Sequence, residues 1–132
     1  MAIPRTSLSA GIVIYDILAN DADITSRVTK VFPVVEDEAE LPYVAYKRSR
    51  MEQQPVKQGA GADMATVEVL CFGRTYQESV DLAELVRAAL DGRQHTAGGL
   101  TMRSCTMTDS DETWEDDAYV QQLTFTIKVS AI

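Results

Sequence analysis

The sequence predicts an α+β sandwich, a mostly antiparallel sheet of about four strands with two main helices packed on one face. Three observations carry this. The segment from Tyr119 to Val129 alternates apolar and polar side chains over its whole length, the mark of a half-buried antiparallel strand. A capped amphipathic helix between Thr75 and Gly92 directly follows a strand pattern over 65–72. Patterned segments come in the order helix, strands, helix, strands, with no internal repeat or low-complexity tract between them.

Each element has a local reason. Thr6 or Ser7 caps a first helix in which Leu8, Ile12, Tyr15 and Leu18, with Ile14 and Ile17, recur at helical spacing. Gly11 weakens it and Asn20-Asp21 ends it. Ala22 to Val28 allows another helical turn or two with Ile24 and Val28 inward. Val31 to Val35 reads as a short extended piece that Pro33 restricts to an edge or a non-strand segment. Tyr43 to Met51 is the first convincing strand, β-rich at its start and basic toward its end. The connection from Gln53 to Gly61 has no packing pattern and is expected to project as a mobile loop. In the next strand Val67, Val69 and Cys71 share one face and Glu68, Leu70 and Phe72 the other. Thr75 and Glu78 have capping-box spacing; Leu82, Ala83, Leu85, Val86, Ala89 and Leu90 form the stripe, and Gly92 takes the C′ place. His95 to Gly99 reads as a turn and Leu100 to Thr108 as a strand, with the acid-rich stretch 109–117 as the connection into the last strand.

At 132 residues the chain fits one domain spanning 1–132, able to bury roughly two thirds of its unfolded surface. Its 45% apolar and 24% charged content is that of a globular protein. No apolar run approaches a membrane span and no signal-peptide pattern opens the chain, which predicts a cytosolic product. Cys71 and Cys105 are then expected to be reduced and buried. The net charge of −8 is concentrated in Glu36, Asp37, Glu38 and Glu40, and in Asp109, Asp111, Glu112, Glu115, Asp116 and Asp117. Such acidity argues against gripping nucleic acid through its phosphates.

Catalytic constellations are missing from the pattern. His95 stands in a glycine-containing turn with no orienting partner nearby in sequence. The serines lack a nucleophile-elbow pattern, and Gly59-Ala60-Gly61 lacks the context of a dinucleotide or phosphate loop. Asp109 and Asp111 have the opening spacing of a calcium loop, but Trp114 stands where its glycine belongs and Val120 where its closing glutamate belongs. No enzyme activity, metal or cofactor is therefore expected. Interaction residues are easier to name. Trp114, alone among carboxylates, either packs back over the sheet edge or anchors a protein interface, where Trp is enriched. Lys47, Arg48, Arg50 and Lys57 form a basic set complementary to the acids. In a head-to-tail assembly one flank can meet the other on the next subunit.

Ile14-Tyr15-x-x-Leu18, the Leu41-Pro42-Tyr43-Val44-Ala45-Tyr46 strand, the unit from Val67 to Gly92, and the finish from Asp111 through Glu115 and Tyr119 to Ile127 carry a resemblance in their order and spacing. Together they resemble the small tail-completion (head–tail joining, tail-terminator-like) proteins of tailed phages and prophages. The resemblance implies a non-enzymatic subunit of a homo-oligomeric ring at the head-proximal end of a tail, stopping tube growth and meeting the head connector. It implies tail-tube and head-connector proteins as partners, and a location in the virion tail after assembly in the bacterial cytoplasm. DNA would at most pass through the lumen, where negative charge repels its phosphates. The interface candidates are Lys47, Arg48, Arg50, Lys57, Asp109, Asp111, Glu112, Trp114, Glu115, Asp116 and Asp117. Two rival readings stand beside it. One is a small-molecule-binding or regulatory α+β module, with Tyr76 and Arg103 as pocket residues. The other is a head-completion or assembly factor in the same phage setting.

Overall fold

A computed structural model describes residues 3, 5–34, 39–53 and 62–131. A 3₁₀ turn (Ser7–Ser9) leads into α1 (Gly11–Ala19) and the single-turn α2 (Ala22–Thr25). Strands β1 (Lys30–Pro33), β2 (Tyr43–Glu52) and β3 (Asp63–Gly73) precede α3 (Tyr76–Leu90). Strands β4 (His95–Ala97), β5 (Leu100–Glu115) and β6 (Ala118–Ala131) complete the chain. Among the described residues, all strands join one six-stranded sheet in the order β1-β2-β3-β6-β5-β4. Among these strands, only β1 against β2 is parallel.

The α+β class and the largely antiparallel sheet agree with the sequence; the count of about four strands and two helices does not. The two additional strands are the shortest, and both sit at the margins. β1 is the Pro33-containing edge piece. β4 occupies the segment read as a turn, because the chain reverses only at Gly98 and Gly99, both at positive φ. A strand of three residues carries too little alternation to be read from sequence.

The two sheet faces differ. Val44, Tyr46, Val67, Val69, Cys71, Leu123, Phe125, Ile127 and Val129 pack with Val13, Ile14, Ile17, Leu18, Ile24, Leu82, Val86 and Leu90 of the helices. The opposite face carries a smaller cluster, Phe32, Tyr43, Ala45, Phe72, Ala118 and Val120. There the Phe32, Tyr43 and Phe72 rings lie 5.2 and 4.4 Å apart. Beyond this cluster the face is polar: Lys47 pairs with Glu68 at 3.3 Å and Gln122 donates to Glu68 at 3.0 Å. One face under helices and one more polar is the arrangement the sequence predicts.

The first helix is phased differently from its expectation. Thr6 caps the 3₁₀ turn, accepting from the Leu8 N–H, and α1 begins only at Gly11. This break rotates the stripe: Val13, Ile14, Ile17 and Leu18 are buried, whereas Leu8 is 63% and Tyr15 44% exposed. Ile24 is buried and Val28 packs against the core, as expected.

The β3–α3 junction fixes where α3 lies on the sheet. The Thr75 hydroxyl accepts from the Glu78 N–H at 3.1 Å. Glu78 reaches back one residue farther than a capping box requires, taking the Arg74 N–H at 2.8 Å and its guanidinium at 2.8 and 3.1 Å. These hydrogen bonds, with the Arg74 charge, hold the Glu78 carboxyl below its ordinary value. Gly73 is required because a Cβ there would lie 2.6 Å from the Ser79 backbone nitrogen. Strand and helix can therefore touch, which brings the start of α3 over the far end of β5 and β6.

Candidate interaction surface

Strand β5 changes character along its length. Leu100, Met102 and Cys105 are buried, but every residue from Thr108 to Glu115 is exposed. The stretch 109–117 is not the connecting loop the sequence suggested. It continues β5 to Glu115, and only Asp116 and Asp117 form the turn, with φ of 49° and 62°. Two consecutive positive φ values mark a two-residue type I′ turn, whose twist suits a long hairpin. The misreading has a physical cause, since a run of carboxylates carries no apolar alternation even when its backbone is fully paired.

Pairing in register assigns these acids to faces. Asp111 lies opposite Gln122 and Glu115 opposite Ala118, on the polar face. Glu112 lies opposite Gln121 and Trp114 opposite Tyr119, on the helix-bearing face. On that side Glu112 accepts from the Tyr76 hydroxyl at 3.0 Å and from the Gln121 amide at 3.0 Å. The same amide also reaches the Ser79 hydroxyl at 3.4 Å. Tyr76 stands edge-on to Tyr119, ring centroids 6.1 Å apart. The hydrogen bond to Glu112, followed by its charge, raises the Tyr76 phenol above its ordinary value. Trp114 borders this notch with 62% of its surface exposed. Most of its ring therefore faces solvent rather than packing back over the sheet. Sequence reasoning missed Tyr119 and Gln121 as partners of Glu112 because register decides them.

The basic residues lie at the other end of the sheet order, on the second half of β2. Arg48 pairs in register with Val67 and so shares the helix-bearing face, whereas a bulge between Arg48 and Arg50 turns Arg50 onto the polar face beside Lys47. Lys47 binds Glu68 and Arg50 contacts Glu52 at 3.4 Å, both within the molecule. Lys57, the Gln54 to Gly61 part of the connecting loop, and Glu36, Asp37 and Glu38 lie outside the described residues. Two strands separate the basic stretch from the acidic one, so they do not meet within one chain.

The remaining reactive groups do not converge. His95 does have a partner that sequence could not show, Asp16 at 2.6 Å, from a position 79 residues earlier. The pair ties α1 to the β4 edge. Cys71 and Cys105 are free and buried, their thiols pushed up to about 12 by burial, with Asp91 adding to the shift at Cys105. Arg103 lines a depression with Gln94, His95 and Thr96, while Tyr76 lines the separate Trp114 notch. The structure does not bring them together as a pocket. Among the described residues, no three His, Cys, Asp or Glu side chains are placed to hold a metal, and no helix is long and apolar enough to cross a membrane.

Fold and surface thus define a small α+β protein whose prominent surface features are a charged, aromatic-bearing hairpin and two unlike sheet margins. The chain belongs to the phage tail completion protein gp17 family, whose model matches residues 13–130. It is a structural, non-enzymatic component of a phage-type tail. Its fold is similar to a chain from the virion of a native gene transfer agent particle, with a TM-score of 0.71 at 15% identity, covering 92% of this chain and 97% of that one. No curated protein matches the sequence.

Proposed function

We propose that the protein self-associates into a ring at the head-proximal end of the tail, closes the growing tube there, and presents the surface that joins the head. The family match over residues 13–130 carries this reading. The similarity to a chain of a virion particle and the exposed Trp114 at the rim of a polar notch support it. A heterologous contact closes into a ring when its rotation divides the circle. The partners are further copies of the chain, the tube below and the head connector above. DNA passes through the lumen without specific binding, and the protein assembles in the bacterial cytoplasm before becoming part of the virion tail.

Native mass spectrometry across a concentration series tests self-association; a single closed stoichiometry that dissolves in high salt is expected. Loss of the gene from its phage is expected to leave tails of uncontrolled length unattached to filled heads in electron micrographs. Tails of normal length that attach normally would refute the assignment.

A further inference from the structure

The sheet ends in two open stretches of backbone. Among the described residues, β1 covers β2 only from Tyr43 to Tyr46 and no strand pairs with the outer side of 47–52. Pairing stops at Val34, whose N–H donates to the Tyr46 carbonyl and whose φ of 58° cannot continue a strand. At the other margin β4 covers β5 only from Leu100 to Met102. The α3 C-terminus covers it a little farther, with the Gly92 N–H on the Cys105 carbonyl and the Met107 N–H on Asp91. Among the described residues, no strand covers 109–115.

The turn decides which backbone groups face outward there. In a two-residue hairpin the flanking pair, Glu115 and Ala118, exchanges hydrogen bonds, and bonded positions alternate from it. Asp109, Asp111 and Thr113 therefore bond β6, while Ser110, Glu112 and Trp114 present N–H and C=O groups to the open side. The Asp109 carboxylate takes the Ser110 N–H at 2.9 Å, and Asp111 takes that of Glu112 at 2.8 Å. Charged side chains folded over outward donors are a way of blunting an exposed edge against indiscriminate pairing.

We propose that successive copies of this chain join edge to edge, 47–52 of one against 109–115 of the next, so that a single sheet runs through the assembly. This rests on the ring reading above. Three features of the two edges agree with it. Strand direction is right: β2 and β5 are antiparallel in the sheet, so neighbours related by rotation about an axis near the strand direction place them antiparallel again. Charge matches face by face. Lys47 and Arg50 share the polar face with Asp109, Asp111 and Glu115, while Arg48, which has no partner among the described residues, shares the helix-bearing face with Glu112 and the Trp114 ring.

The stagger is the third. Glu112 lies level with Val44 through Gln121 and Cys71, so the open stretches are offset along the strands. The offset is about five residues, ~17 Å at ~3.3 Å per residue. A repeat of β2, β3, β6 and β5 is ~19 Å wide at ~4.8 Å per strand. Closing such a staggered sheet without axial climb requires the strands to tilt by ~40°, inside the range of closed barrels. The short strands β1 and β4 cover the complementary ends and stay clear of the pairing.

Hydrogen exchange of the full chain, dilute and assembled, reads this directly. Assembly is expected to slow the Ser110, Glu112 and Trp114 amides at least ~10-fold, with Arg48 alongside them. Ser110→Pro removes an outward N–H that β6 does not use; it is expected to keep the thermal unfolding of the monomer and lose the oligomer, while Ser110→Ala keeps both. Arg50→Glu or Asp111→Lys alone is expected to weaken association at least ~10-fold and the pair together to restore it. An oligomer of defined size whose 110–114 amides exchange as in the monomer overturns the edge pairing and leaves the ring. A chain monomeric at every concentration overturns both.

Discussion

The two halves of β5 make the most instructive comparison in this molecule. From Leu100 to Met107 the strand lies over a core of helix side chains and is stitched on its outer side to Asp91 and Gly92. From Asp109 to Glu115 the same strand keeps its pairing with β6 but loses burial altogether. One half is held by removing apolar surface from water and the other by backbone hydrogen bonds and the turn. The bulge between Met107 and Asp109 marks the change. A strand can thus be core at one end and fully exposed at the other, because its ladder does not depend on what its side chains touch.

The sharpest way to break this comparison is to truncate one large side chain in each half of the hairpin. Phe125, fully buried opposite Met107, is expected to cost about 3–5 kcal/mol as Phe125→Ala in denaturant unfolding. Trp114→Ala is expected to stay within about 0.5 kcal/mol of the parent while weakening assembly. Equal costs would mean the outer half is packed core after all. Thr75→Ala, at the cap that positions Tyr76 over the notch, is expected to cost about 1 kcal/mol. It should also loosen the Tyr76–Glu112 contact, read as a Tyr76 phenol titrating closer to its ordinary value.

The turn offers a gain. Asp117 holds φ of 62° without being glycine, so Asp117→Gly is expected to stabilise the hairpin by roughly 0.5 kcal/mol, seen as a higher Tm. The smallest effect is on pH dependence. Because Glu78 is held below its ordinary carboxylate value in the fold, its contribution is full at neutral pH and is lost as pH falls through that depressed value. Glu78→Gln should flatten the acid limb of the stability curve and leave the alkaline limb unchanged. A parallel shift of the whole curve would assign Glu78 a role other than its pairing with Arg74.

Legibility in the sequence tracked burial. Strand β6, the alternation of β3 and the capped stripe of α3 were readable because one side of each meets the core. The same reasoning mis-phases the first helix, since Leu8 and Tyr15 have the right chemistry and spacing but Leu8 lies before the break at Gly11 and Tyr15 on the more exposed side of α1. It lost β4, too short to alternate, and read acid-rich strand as loop because carboxylates are common in both. Of the candidate surface, Trp114 and the acids are visible as residues in the sequence; their division between two faces is not.

The sequence by itself determined the α+β class, the local caps, the core stripes and the separation of acidic from basic segments, because periodicity and capping act within a few residues of the chain. Tertiary structure decided where those segments lie. Sheet order put the basic and acidic stretches toward opposite margins, register put Glu112 beside Tyr76 and Gln121, and among the described residues short neighbours leave each margin half open. These outcomes depend on which strands lie side by side, and strand order follows from burying the whole core at once rather than from any one segment.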